Sequence, residues 1–299
     1  MNEQPGVAGP ERPVIAIHAG AGDHAGELRG HEDECRAALL EALESGRAAL
    51  DQGLDATHAV QAAIVVMENF ELFNAGRGST LCSDGSVEMS AALMRGSDRS
   101  AGAVAVVHHA ENPILGARAV LERPQVLLVG PPADEVAAQA GVPQCPNEHF
   151  ITERQRERLR DSKAELDRAT VGAVCLDGEG LLAAGTSTGG VRGQPPGRVG
   201  DCPVIGAGTW ADTHAAISCT GDGEAFIRCA AARQVAALVA DGASVDAAAE
   251  QALQLVAELQ FTGGLIAVDG QGNVTLPYIT SVMPRGLWRA GREPTTWVV

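Results

Sequence analysis

The stretch TVGAVCLDGEGLLAAGTSTGG, residues 170–190, decides how this chain is read. Thr170–Leu176 is a short apolar run, Asp177-Gly178-Glu179-Gly180 supplies turn residues, and Leu181–Ser187 is apolar again. That order predicts a strand–turn–strand unit. Gly264–Pro277 repeats it around Asp269-Gly270-Gln271-Gly272. Between the two lie a Gly-rich stretch, a strand near Ala215–Cys219 and two long Ala-rich helices, about 224–241 and 245–259. Strands and helices come in clusters, without strict alternation. Such clustering points to an α/β (α+β) fold in which largely antiparallel sheets are covered by layers of helices.

Upstream, Pro13–Ile17 reads as a strand entering a Gly-rich loop, His18-Ala19-Gly20-Ala21-Gly22. Helical apolar spacing runs from about 33 to 52 and from 55 to 69, the second with Asp55 as a cap. Leu72-Phe73-Asn74-Ala75-Gly76 follows, then two short strands around Asp84-Gly85 (Thr80–Ser83 and Val87–Leu93) and another at Gly102–His108. Asn112-Pro113 opens a helix to about Arg123, with Pro where its missing N–H costs nothing. From Ile151 to Arg168, eleven of eighteen residues are charged, which reads as a solvated helix or as a mobile connector.

Length and composition exclude several classes. At 299 residues and 30.7 kDa the chain suits one large α/β domain or two small ones. Apolar residues make up 45%, charged residues 20%, and mean hydropathy is near zero, so a sizeable core forms and wholesale disorder is excluded. Thirty-eight acidic against 22 basic residues leave −16, which argues against nucleic acid or an anionic membrane as partner. Seven cysteines without a C-x-x-C pair indicate neither a disulfide framework nor a zinc knuckle; they read as reduced core thiols. Met1–Pro13 is polar and Pro/Gly-rich, unlike a signal peptide, and no apolar run reaches about eighteen residues. The expected compartment is the cytoplasm.

No H-E-x-x-H, G-x-S-x-G or Walker A motif occurs, and the segment at Ala207-Gly208-Thr209 completes no G-x-G-x-x-G. His108-His109 is a poor metal pair, because adjacent strand residues point to opposite faces. What stands out is an unusual concentration of Thr and Gly. Thr170 opens a strand directly behind the charged stretch, and Thr186-Ser187-Thr188-Gly189-Gly190 and Ser218-Cys219-Thr220-Gly221-Asp222-Gly223-Glu224 follow. A Thr hydroxyl is a weak nucleophile without a base beside it. Cleavage before Thr170 would free an α-amine to be that base, on the same residue. Thr220 and Gly221, just before a helix, could hold a developing oxyanion. Arg198 and Asp201 carry the charges that would match an amino acid's carboxylate and ammonium. The plainer alternatives are a surface ion pair for these two and simple β-propensity for the threonines.

The segments at Thr170–Val174, Thr186–Gly190, Pro196-Gly197-Arg198-Val199-Gly200-Asp201 and Ser218–Gly221, with Leu72–Gly76 and the loop at His18, resemble the plant-type asparaginase/isoaspartyl peptidase family of N-terminal nucleophile hydrolases. The similarity spans about Pro13 to Gly286. It implies a four-layer αββα sandwich, cut by its own Thr170 between Ala169 and Thr170 into an α subunit (1–169) and a β subunit (170–299), assembled as a dimer of cleaved units. It also implies Thr170 as nucleophile, Thr188 beside its amine, Thr220 and Gly221 as oxyanion hole and Asn74 near the nucleophile. Arg198 and Asp201 would grip the substrate, with a backbone contact from Gly223. The resemblance implies no cofactor for catalysis but a structural sodium held by backbone carbonyls within Met67–Arg77 (Met67, Glu68, Phe70, Phe73, Ala75, Arg77). The implied substrates are small molecules, L-asparagine and β-aspartyl dipeptides. The chain departs from the family pattern at Ala169, Ala19, Ser90, Arg95 and Ile279. Rival readings are a glycosylasparaginase-type hydrolase and an uncleaved amino-acid-binding homologue without turnover.

Overall fold

The computed structural model describes residues 12–22, 30–161 and 169–298. Most of the polar N-terminal stretch and residues 162–168 of the charged segment therefore lie outside the described residues. The elements, in chain order, are β1 (Val14–His18), α1 (Glu32–Asp51), α2 (Ala56–Glu68), β2 (Met89–Arg95), β3 (Ala101–Val107), α3 (Pro113–Leu121), β4 (Leu127–Val129), α4 (Pro131–Gln139) and α5 (Glu153–Arg160). After residue 169 come β5 (Val171–Leu176), β6 (Leu182–Thr188), β7 (Thr209–Ala211), β8 (Ala215–Gly221), α6 (Gly223–Cys229), α7 (Ala231–Ala240) and α8 (Val245–Glu258). The chain closes with β9 (Gly263–Asp269), β10 (Val274–Thr275), β11 (Arg285–Arg289) and β12 (Thr295–Trp297).

Two sheets form among the described residues. The larger runs β12-β11-β1-β5-β6-β2-β3-β4 and the smaller β10-β9-β8-β7. Every pairing is antiparallel except β3 with β4. Strand alternation sorts the side chains into layers. Ile15 and Ile17 of β1 and Val171, Ala173 and Cys175 of β5 turn to a core shared with α1, α2 and α3. Val14, Ala16, Val174 and Leu176 turn the other way, onto Ala216, Ile266 and Val268 of the smaller sheet. Ile217, Cys219, Leu265 and Ala267 face a separate core under α7 and α8. The order is helix, sheet, sheet, helix, so the expected αββα layering forms. No helix among the described residues is long and apolar enough to cross a membrane.

Some local expectations need correction. Thr80–Ser83 is not a strand: its bonds are scattered over several partners, among them Gly193 N to the Leu81 carbonyl and Ser83 N to the Gln194 carbonyl. Asp84-Gly85 does turn, closed by Cys82 N to the Ser86 carbonyl at 2.8 Å. The long helix expected over 224–241 breaks at Ala230, which is left-handed (φ 48°). Carbonyls of Gly206 and Ala207 accept the first-turn N–H groups of Arg233 and Ala232, so an outside loop caps a new helix start there. His108 and His109 lie beyond the end of β3, where the Asp134 carboxylate accepts their backbone N–H groups. The strands β4, β7, β11 and β12 and the helix α4 were not expected from the sequence.

Gly172 is required where β5 faces the smaller sheet. A Cβ there would overlap the Ser218 hydroxyl and the His18 ring. Gly172→Ala is expected to destabilise the fold by about 1–3 kcal/mol through overpacking, read as a lower midpoint in urea unfolding.

Candidate active site

Thr170 sits at the mouth of β5, 6% exposed. Its Oγ donates to Thr188 Oγ, 3.1 Å away at the end of the neighbouring β6. Thr188 Oγ accepts a second hydrogen bond from Gly190 N at 3.0 Å and donates to the Ala169 carbonyl at 3.4 Å. The same carbonyl accepts from Asn74 Nδ2 at 2.7 Å. Asn74 is itself held fast, donating to the Gly190 carbonyl at 2.8 Å and accepting from Thr80 N at 2.8 Å. The peptide between Ala169 and Thr170 thus has its hydroxyl, its carbonyl and two further polar side chains within hydrogen-bond reach of one another. The Ala169 methyl packs against Gly20, where any Cβ would overlap it.

Beneath β5 lies a buried polar row. His18, Gly172 and Thr186 are cross-strand partners on β1, β5 and β6. His18 Nε2 is 3.0 Å from Ser218 Oγ, which is 2.8 Å from Thr186 Oγ. Thr209 Oγ donates to Thr186 Oγ at 2.6 Å. Burial pushes the His18 imidazole down to about 3, against a backbone hydrogen bond with Thr170, so the ring is neutral near pH 7.

Arg198, Asp201 and Gly223 form a second group. A Cβ on Gly223 would lie 2.7 Å from Asp201 Oδ1 and 3.1 Å from Arg198 Nη2, so the missing side chain leaves room between opposite charges. Arg198 is already engaged: Nε and Nη2 donate to the two Glu224 carboxylate oxygens at 3.0 and 2.9 Å. That bidentate pair fixes the guanidinium plane and leaves Nη1 only a 3.4 Å contact with Gln194 Oε1. Asp201 Oδ2 is buried with no hydrogen-bond partner among the described residues. Burial pushes the Asp201 carboxyl up to about 7, against its backbone hydrogen bonds and the Arg198 charge. A buried carboxyl in this state is suited to an incoming ammonium group. Thr220 and Gly221 close β8; Thr220 Oγ accepts from Ala21 N at 3.0 Å, which joins it to the loop after β1. Gly221 has φ 132°, and a Cβ there would overlap Gly263.

These elements span nearly the whole chain, and so do its likenesses to known proteins. The sequence profile of a family described as asparaginase matches residues 11–168 and 160–298. The chain belongs to this asparaginase family. It is 42% identical to an isoaspartyl peptidase of Salmonella typhimurium over 96% of this chain and 98% of the relative. It is 41% identical to the isoaspartyl peptidase of Escherichia coli over 96% of each. An isoaspartyl peptidase/L-asparaginase of Homo sapiens is 37% identical over 94% of each.

As in the sequence reading of this asparaginase-family chain, Thr170, Thr188 and Asn74 come together, and so do Arg198, Asp201 and Gly223. Some contributors were not foreseen. Asn74 reaches the carbonyl of residue 169, not merely the vicinity of Thr170. Glu88 Oε2 accepts from Gly197 N at 2.7 Å and anchors the loop that bears Arg198. The row His18–Ser218–Thr186–Thr209 was also missed, although polar residues alternating inward on facing strands were a usable signal. Among the departures from the family pattern, Ala19 is buried and donates to the Pro284 carbonyl, while Arg95 pairs with Asp98 at the surface. Ser90 lends its carbonyl to Cys202, and Ile279 is exposed.

The raised Asp201 carboxyl has a kinetic signature. Only its ionised form attracts an ammonium, so once Thr170 carries a free amine the acid limb of kcat/KM for an α-amino substrate should contain two groups, that amine and a carboxyl near 7, and be steeper than tenfold per pH unit below about 7. A pH–rate profile checks this, and Asp201→Asn should reduce the limb to a single group.

Proposed function

We propose that this protein is a threonine amidohydrolase that hydrolyses L-asparagine to aspartate and ammonia and cleaves β-aspartyl dipeptides, after cutting its own chain before Thr170. The observation that carries this reading is the Thr170–Thr188–Ala169–Asn74 constellation, with hydroxyl to hydroxyl at 3.1 Å and amide to carbonyl at 2.7 Å. In the intact chain Thr170 has no amine, so its hydroxyl needs another route for the proton. Thr188 Oγ accepts from Thr170 and donates to the Ala169 carbonyl, so the proton can pass to the oxygen that gains charge as Thr170 Oγ attacks. Asn74 Nδ2 stabilises that oxygen. As the C–N bond breaks the proton passes from that oxygen to the nitrogen, so the acyl group moves from nitrogen to oxygen as an ester and the Thr170 amine is freed; water then releases Ala169 as a carboxylate.

Once free, the amine serves as base for its own hydroxyl. The substrate's α-carboxylate meets Arg198 and its α-ammonium meets Asp201, which leaves the side-chain carbonyl for Thr170. Thr220 and Gly221 stabilise the oxyanion, ammonia or an amino acid leaves, and water discharges the aspartyl ester. The names of the relatives, isoaspartyl peptidase and isoaspartyl peptidase/L-asparaginase, support the choice of substrates. The reading also includes a sodium ion held within Met67–Arg77. The Glu68 carbonyl lies against Gly76 and the Phe73 carbonyl against Gly78, where any Cβ would overlap them, so backbone oxygens gather on the inside of this turn as a carbonyl-held cation requires. Carbonyls of Met67, Glu68, Phe70, Phe73, Ala75 and Arg77 would hold it, and it would brace the turn that carries Asn74. The same reading includes a dimer of cleaved units and a reducing cytoplasm, which suits seven free thiols.

Intact-mass analysis of protein incubated after purification tests the central step. Fragments of roughly 17 and 13 kDa are expected, in proportion to 169 and 130 residues of the 30.7 kDa chain, the smaller beginning Thr-Val-Gly-Ala. A chain that stays whole, or a fragment with another N-terminus, overturns the reading. Asn74→Asp keeps the acceptor for Thr80 N but loses both donated bonds. It should slow precursor loss by about 10²–10³-fold in a time course followed by gel densitometry. Arg198→Ala should lower kcat/KM for β-Asp-Leu by about 1.5–3 kcal/mol, roughly ten- to 150-fold, while self-cleavage continues.

A further inference from the structure

The corner that follows β3 is pinned from several sides. The buried Asp134 carboxylate accepts backbone hydrogen bonds from His108, His109 and Ala110. An isolated antiparallel bridge pairs Ala110 with Gln144, flanked by Glu111 N to the Pro143 carbonyl at 2.9 Å and Cys145 N to the His109 carbonyl at 2.7 Å. In that register residues 111 and 145 are diagonal neighbours on one face, within reach of each other's side chains. Asn147 ties the second segment down, donating to the Val87 carbonyl at 2.9 Å and accepting from Val87 N at 3.0 Å. His149 follows on a single 3-10 turn, Asn147–Phe150, its ring edge-on to the buried Phe150.

We propose that Glu111, Cys145 and His149 form a divalent-metal site, with zinc the ion their donors suit best. One carboxylate oxygen, the Cys145 Sγ and one imidazole nitrogen lie within 4.8 Å of one another. Zinc bonds of about 2.0–2.3 Å in tetrahedral geometry put donors roughly 3.3–3.8 Å apart, so small side-chain rotations on this pinned backbone close the set. Thiolate and imidazole beside one carboxylate favour zinc over calcium or magnesium, which take oxygen. Among the described residues none of the three side chains makes a hydrogen bond or ion pair; His149 has only its ring contact. All three are half-buried, so an ion enters from solvent. Cys145 ligates as a thiolate, so binding releases one proton. Three protein ligands leave one position for water. The site would clamp residues 109–111 to residues 143–149, and it owes nothing to the Thr170 chemistry.

The test uses tag-free full-length protein, stripped with chelator and titrated with Zn(II) alone against a chromophoric competitor. One equivalent should bind saturably, and Co(II) in its place should show a thiolate-to-metal charge-transfer band. Cys145→Ser should lose the band, and both it and His149→Gln should weaken zinc binding at least about 100-fold, while Cys229→Ser changes neither readout. Circular dichroism of the metal-free variants separates a lost ligand from a lost fold. No saturable equivalent in the wild type, or binding and band unchanged in folded Cys145→Ser, overturns the proposal.

Discussion

Strand β5 cannot slip, and the candidate active site depends on that. It is paired along its length with β1 and β6, and both of its faces are covered. A shift of one residue would exchange Val171, Ala173 and Cys175 with Gly172, Val174 and Leu176, driving large side chains into the narrow space before His18 and Ser218. Only Gly fits where Gly172 lies. Because the strand is locked, the residue at its mouth is locked too, and Thr170 meets Thr188 across the ladder end.

Loops finish what the ladder begins. The turn after α2 delivers Asn74 to the carbonyl of residue 169, and the Gly189–Gly190 segment after β6 is laced to the same turn by Gly189 N to the Asn74 carbonyl and Thr80 Oγ to the Gly189 carbonyl. Preorganised donors of this kind need little rearrangement as charge develops on the oxygen they face. The Arg198 loop is held in the same manner, by Glu88 at Gly197 and by Glu224 at the guanidinium itself.

The buried ionisable groups divide by task. His18 is kept neutral and works as one member of a chain of hydroxyl partners. Asp201 is held near its titration point by burial, and a cationic ligand would ionise it fully. One carries no charge beside Thr170. The other stores an unmet demand for positive charge, in a chain whose formal charge is already −16.

The sequence by itself determined a good part of this. Turn chemistry at Asp177–Gly180 and Asp269–Gly272 marked both hairpins, helical spacing marked α1, α2 and α8, and the concentration of Thr and Gly marked Thr170, Thr188 and Thr220 as candidate site residues. These are local signals, set by backbone preference and by the side-chain period of each element. It did not disclose the break at Ala230, because the carbonyls that cap the new helix come from residues 206 and 207. Nor did it disclose Asn74 on the Ala169 carbonyl, the Glu224 grip on Arg198 or the inter-sheet row at His18. Each joins residues 26 to 200 positions apart. Partners so distant are chosen by which faces of the two sheets are pressed together, and only the folded chain makes that choice.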